Sequence, residues 1–258
     1  MMITQAPESP SNTLEDISEE IIFPPSDLYS NEPPVETELH LEQIMLLIKC
    51  LKWLWKDRND FYAAGNLTIY YSPNQKKSED SRGPDFFVVL GTERKTRKSW
   101  VVWDENGKYP HVIVEILSPS TAKTDREFKK QLYQNIFRTP DYFWFDPYTL
   151  EFAGFHLLDG KYQPLTANEK GHLWSQQLGL YLGVYNGLLR YFTREGILVP
   201  TPEESAEQEG KRAEAEAKAR KSEAERAEAE AKRAESEAKR AARLAAKLRE
   251  LNIDPETI

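Results

Sequence analysis

Hydrophobic and polar positions divide the chain into three stretches of different character. Up to about residue 34, Pro, Ser and acidic residues dominate without period, and Pro24-Pro25 and Pro33-Pro34 break any helix. Residues 1–34 are therefore expected to be an acidic, Pro-rich flexible arm. From Glu38 to Arg58 apolar residues recur at helical spacing (Leu41, Ile44, Met45, Ile48, Leu51, Leu54, Trp55), which predicts an amphipathic or largely buried helix.

Short strand-like runs follow, each bounded by turn chemistry: Leu67 to Tyr71, Asp85 to Leu90, Trp100 to Trp103 and Val112 to Leu117. They are expected to form a meander with Asp85 and Glu115 on central, covered strands. A helix is predicted from about Thr124 to Ile136, with Phe128, Leu132 and Ile136 on one face. Asp141 to Phe145 reads as another buried strand, closed by Asp146-Pro147. Leu150 to Leu158 and Tyr162 to Leu165 extend the sheet, and Leu180 to Val184 pairs with Leu188 to Phe192 around Asn186-Gly187. The order of helix, strands, helix and strand predicts an α/β fold over residues 35–200, with a mixed central sheet flanked by helices.

After Pro200-Thr201-Pro202 the composition turns to Ala, Glu, Lys and Arg. Residues 201–258 are expected to form a long charged helix. Ala224, Ala227, Ala231, Ala234, Ala238, Ala241, Ala245 and Leu248 repeat in steps of three and four, a heptad seam. Glu214 with Lys218, Glu228 with Lys232 and Glu235 with Lys239 add i,i+4 pairs. Ala buries little area, so a solitary helix and a coiled coil both stay open. A homo-oligomer would form through the tail or through the 35–200 domain.

The net charge of -8 is unevenly spread. Glu8 to Glu42 contains acids and no Lys or Arg, whereas Lys76, Lys77, Arg82, Arg94, Lys95, Arg97 and Lys98 form a basic cluster. That cluster reads equally as a solvated loop or as phosphate contact, so an acidic global balance does not exclude a nucleic-acid partner. The single cysteine, Cys50, lies in an apolar helical pattern; it rules out a disulfide framework and a cysteine-based metal site and is expected in the core. No leader-like segment and no apolar run long enough to span a bilayer is seen, so no membrane association and a cytoplasmic setting are expected.

The informative chemistry is a pair of acids within apolar runs: Asp85 in Gly-Pro-Asp-Phe-Phe-Val-Val and Glu115 in Val-Ile-Val-Glu-Ile-Leu-Ser. Carboxylates are seldom buried unless a partner or a metal offsets their lost hydration. Two of them on neighbouring strands suit a hard divalent cation. Lys129, on the helix after the Glu115 strand, is placed to point back toward that pair, whereas the adjacent Lys130 points elsewhere.

Four ordered segments carry a resemblance. Gly83-Pro84-Asp85, the run Val114 to Thr121, Asp125-x-x-x-Lys129-x-x-x-Tyr133, and the run Thr139 to Pro147 together resemble the Uma-two endonuclease family, of the restriction-endonuclease-like, PD-(D/E)xK superfamily. The similarity spans about Glu36 to Phe192. It implies a restriction-endonuclease-like core, a DNA substrate, and Mg²⁺ as cofactor, with Mn²⁺ able to substitute. Asp85 and Glu115 match the two metal-binding acids. The superfamily lysine normally stands two residues after the glutamate, where this chain has Leu117; Lys129 is the matching residue. Glu36 resembles an accessory helix acid. His40, Tyr133 and Tyr142 are expected to be structural, the tyrosines as core aromatics.

These readings lead to a Mg²⁺-dependent DNA endonuclease with Asp85, Glu115 and Lys129 in the site. Two other classes stay open: a catalytically silent nuclease-fold protein acting in nucleic-acid binding or coiled-coil assembly, and a carboxylate-pair hydrolase acting on another substrate such as a glycoside.

Overall fold

The computed structural model of the protein describes residues 28–30, 32, 35, 37–72, 81–118 and 125–250. Glu36 and most of the acidic arm lie outside the described residues. Two compact units are distinguished, Met1–Val199 and Pro200–Ile258.

Helix α1 spans Glu38–Leu54, and the Thr37 side chain caps it by accepting the His40 N–H. Its buried face is His40, Gln43, Ile44, Leu47, Cys50 and Leu51, while Leu41, Met45 and Leu54 are exposed. Buried polar residues thus share this face with apolar ones. Gln43 explains why: its amide donates to the Leu189 carbonyl and accepts the Leu189 N–H, both at 2.9 Å, satisfying two backbone groups 146 positions away.

The strands are β1 (Phe61–Gly65), β2 (Ile69–Tyr70), β3 (Ser81–Arg82), β4 (Phe86–Leu90), β5 (Trp100–Val101), β6 (Val112–Ile116), β7 (Asp141–Phe145), β8 (Phe152–Leu158), β9 (Lys161–Pro164), β10 (Leu173–Ser175), β11 (Leu180–Tyr185) and β12 (Leu188–Phe192). Between β6 and β7 runs helix α2, wound as a π-helix over Asp125–Lys129, an α-helix over Lys130–Leu132 and a π-helix over Tyr133–Phe137. The six-stranded central sheet has the order β1-β4-β6-β7-β8-β9, with β6 and β7 parallel and the other neighbours antiparallel. The mixed sheet matches the sequence expectation.

The meander does not. Leu67–Tyr71 and Trp100–Trp103 contribute β2 and β5 to a separate three-stranded sheet, β3-β2-β5, and β1, which has no distinct strand signal, takes the edge beside β4. Period-two alternation identifies a strand but not its neighbour.

Both faces of the central sheet are covered, which is why β4 and β6 read as continuous apolar runs. Phe86, Val88, Val112, Val114 and Ile116 face α1 and the β10-β11-β12 sheet, whereas Phe87, Val89 and Ile113 face α2 and the β2–β5 side. Each such side chain contributes roughly 1.5–3 kcal/mol by leaving water. The expected core face of α2 is displaced: Leu132, Tyr133 and Phe137 are buried, while Phe128 and Ile136 are about half exposed.

The β11–β12 hairpin turns at Asn186 and Gly187, whose φ values of 51° and 77° are those of the Asn-Gly turn predicted from sequence. Within the first unit, Leu28–Ser30 and Glu32 are tied down rather than free. Ser99 Oγ donates to the Leu28 carbonyl at 2.8 Å, Ser30 N–H donates to the Lys98 carbonyl at 3.0 Å, and Thr68 Oγ1 donates to Glu32 Oε1 at 3.0 Å.

Helix α3, Pro202–Glu250, makes up the second unit and has no buried residue. Thr201 and Glu204 begin it with a reciprocal capping box, each backbone N–H bonding to the other side chain. Glu228–Lys232 and Glu235–Lys239 pair as expected at 2.6 Å, joined by Glu207–Lys211. Among the described residues no helix is long and apolar enough to cross a membrane.

Candidate active site

Asp85, Glu115 and Lys129 meet at one end of the central sheet. Asp85 immediately precedes β4, and the β4–β6 register sets Phe86 opposite Val114, so the next residue along β6, Glu115, lies beside Asp85. Alternation turns Glu115 to the α2 face, away from its neighbours Val114 and Ile116. Helix α2 packs on that face, and Lys129 Nζ stands 3.0 Å from Glu115 Oε2. Tyr133, one turn further on, donates its hydroxyl to Glu115 Oε1 at 2.6 Å.

The glutamate is 0 % exposed, so two partners from a single helix compensate its desolvation. Lys130 points elsewhere, as the sequence suggested: its ammonium sits 3.3 Å from the centre of the Phe155 ring, and burial pushes its pKa down.

Asp85 is more open, with 13 % of its side chain accessible. Its Oδ2 accepts the Ile116 N–H at 2.8 Å, which links the two acid-bearing strands. His40 Nε2 on α1 approaches Oδ1 to 3.1 Å, close enough for an ion pair though not aligned as a hydrogen bond. Burial raises the Asp85 pKa, but the His40 contact and the Lys129 charge outweigh it, and the carboxyl is held below its usual range. Asp85 is therefore an anion at neutral pH.

Gly65 allows this close approach: a Cβ there would stand 2.3 Å from Ile44 Cγ2 and 2.7 Å from the Asp85 carbonyl oxygen. Without one, α1 presses onto the end of β1 and carries His40 to Asp85.

His40 and Tyr133, both expected from sequence to be structural, touch the candidate acids. Tyr133 had one usable signal, its i,i+4 spacing from Lys129, which puts the two on one face of a helix. His40 had a weaker one, a polar residue on the helix face that carries Ile44, Leu47 and Leu51. Glu36 lies outside the described residues. Tyr142 is a core aromatic as expected, stacked with Phe155 and Tyr162.

A second buried acid, Asp141, does a different job. Its Oδ1 lies 2.7 Å from His156 Nδ1, and its Oδ2 accepts from Ser175 Oγ at 2.6 Å and from the Gln177 N–H at 3.0 Å. All three contacts converge on the carboxylate. Ser175 and His156 therefore do not form a nucleophile-and-base pair, and the cluster serves as a polar tie among β7, β8 and β10.

The donor set at the sheet end suits a hard cation. It consists of the Asp85 and Glu115 carboxylates, whose oxygens also accept from the Ile116 N–H, Lys129 Nζ, the Asp85 N–H and the Tyr133 hydroxyl. Among the described residues no group of three His, Cys, Asp or Glu side chains is arranged as a metal cage. A pair of carboxylates is a donor set of the kind Mg²⁺ takes, since that ion retains several of its waters.

No curated protein matches the chain significantly. Among solved structures, the fold is similar to a crystal structure from Anabaena variabilis described as "a putative nuclease belonging to DUF820", at 14% identity and a TM-score of 0.43, covering 57% of this chain and 76% of that one. The Uma2 family model, described as "Putative restriction endonuclease", matches residues 27–188, which include Asp85, Glu115, Lys129, His40 and Tyr133. The chain belongs to the Uma2 family.

Proposed function

We propose that the protein is a metal-dependent endonuclease that hydrolyses DNA phosphodiester bonds. The observation that carries this reading is the convergence of Asp85, just before β4, Glu115 on β6 and Lys129 on α2 at one partly open sheet end. Membership of a family described as "Putative restriction endonuclease" supports the same chemistry.

Asp85 and Glu115 would hold Mg²⁺, or Mn²⁺ in its place, and the bound ion would neutralise phosphate charge and acidify a bound water. The chain's own residues set the stage. Asp85 is kept ionised, Glu115 is held in one orientation by Tyr133 and Lys129, and His40 Nε2 stands 3.1 Å from Asp85 Oδ1. In the reaction, water oxygen bonds to phosphorus as its proton passes to solvent, the phosphorus–oxygen bond to the leaving sugar breaks, and the leaving oxygen takes a proton from solvent to become a hydroxyl. Lys129 places a positive charge beside the negative charge that grows on phosphate oxygens in the transition state.

The test is nicking of supercoiled plasmid by the purified full chain with Mg²⁺ or Mn²⁺, beside Asp85→Asn, Glu115→Gln and Lys129→Met. The wild type should nick only with metal, and each variant should lose at least about a hundredfold in rate. Metal-independent nicking, or nicking that survives both acid substitutions, would sink the assignment.

A further inference from the structure

Beside the candidate site lies a groove of about 360 Å³ that the catalytic scheme does not use. Its walls combine aromatic, cationic and amide groups: Tyr71, Arg82, Phe128, Gln131 and Asn135, with Leu132 at the base. Phe128 is 53 % exposed although it sits on a helix whose other face is core, and the Arg82 guanidinium lies 5.4 Å from its ring centre. A single exposed apolar residue needs no explanation. Phe128 and Ile136, exposed together along one groove with a guanidinium over the aromatic ring, make a formed surface.

We propose that this groove is a nucleobase subsite, taking one unpaired base of a DNA strand whose backbone continues to Asp85, Glu115 and Lys129. The inference rests on the nuclease reading and narrows it: the preferred substrate is single-stranded or frayed DNA rather than intact duplex. Continuity supports the placement. Arg82 is three residues before Asp85 on the same segment, and Phe128 is the residue before Lys129, so the groove occupies the helix face next to the one that carries the candidate lysine.

The wall chemistry selects the occupant. An aromatic face with a guanidinium over it stacks any base, and a cation at the rim meets the accompanying phosphate. Side-chain amides such as Gln131 and Asn135 can both donate to and accept from a base edge, which is accessible only when the base is unpaired and splayed out. A base inside a duplex cannot enter such a groove without leaving its stack.

Fluorescence anisotropy of the full chain tests this, using a labelled oligodeoxynucleotide of about 20 nucleotides, single-stranded or annealed to its complement, with Ca²⁺ in place of Mg²⁺ so that nothing is cut. The single strand should bind more tightly than the duplex. Phe128→Ala should weaken single-strand binding about tenfold, with the duplex affinity and the unfolding temperature close to wild type. Phe128→Leu keeps apolar bulk without the π-face and should lose similarly, whereas Phe128→Trp should restore binding.

Wild-type single-strand affinity in Phe128→Ala or Phe128→Leu overturns the subsite. It leaves the nuclease reading intact if the wild type still nicks plasmid with metal. A wild type that neither binds nor cuts any DNA overturns both.

Discussion

Asp141→Ala removes the acceptor from the buried tie among β7, β8 and β10 and should be strongly destabilising. Three donors lose their partner: Ser175 Oγ, the Gln177 N–H and His156 Nδ1. Hydrogen bonds to a charged group are worth roughly 1.5–3 kcal/mol each. The Ser175 contact counts fully because both residues are 0 % exposed, whereas a quarter of the His156 side chain reaches water and can be rehydrated. Breaking a buried charged cluster by removing one member typically costs about 3–5 kcal/mol, which is the expectation here. For a unit of this size that is a fall in unfolding temperature of about 6–20 °C.

Tryptophan fluorescence is the suitable probe. All six tryptophans lie in the Met1–Val199 unit, so the signal is free of the long charged helix that would dominate far-ultraviolet circular dichroism. Two of them, Trp144 and Trp174, sit on the strands that Asp141 ties together. Asp141→Asn keeps one acceptor oxygen and should fall between wild type and Asp141→Ala. Ser175→Ala removes a single donor and should cost less. A fall below about 2 °C for Asp141→Ala, or an equal loss in Ser175→Ala, would refute the tie.

Tyr133→Phe removes the hydroxyl that orients Glu115 and should lower Mn²⁺ affinity, measured by calorimetry, about 10–100-fold; unchanged affinity would make Tyr133 a core aromatic only. His111 accepts the Leu90 N–H at 3.1 Å through Nδ1, and burial, then Lys108, holds its pKa below the ordinary 6.5. The folded chain therefore resists the proton more than the unfolded one, so this stabilisation is full above pH about 6.5 and is lost as the pH falls below it. Unfolding temperature measured between pH 7.5 and 5.5 should decline less steeply in His111→Asn, and an identical slope would refute the assignment.

The α3 seam should not drive self-association. Glu209, Glu216, Glu223, Glu230 and Glu237 line one flank and Glu214, Glu228 and Glu235 the other, so a second copy brings mostly like charges together over a seam of small residues. Light scattering should give the same number of subunits after deletion of Pro202–Glu250, and a halved number would establish the coiled coil.

The two parts of the site became visible in different ways. Asp85 and Glu115 stood out in the sequence because an acid inside an apolar run is costly wherever the strand goes. Lys129 was legible from its place on the helix after the Glu115 strand, and the family pattern matched it to the superfamily lysine that Leu117 displaces. His40 and Gly65 were hidden, because their meaning is a distance of a few ångströms between α1, β1 and Asp85. Asp141 looked like the first residue of a strand, and its three partners lie 15 to 36 positions away.

The sequence by itself determined the local elements: the α1 period, the β4 and β6 runs, the Asn-Gly hairpin and the charged terminal helix. These follow from side-chain alternation, turn residues and propensity, which act over a few positions. Tertiary structure alone decided that β1 takes the edge beside β4, that β2 and β5 leave the central sheet, and that α2 turns the Tyr133 hydroxyl onto Glu115 while leaving Phe128 exposed. Those outcomes depend on which apolar faces bury each other and which buried polar groups find partners. Pairing of that kind is settled among residues far apart in the chain, and no local pattern records it.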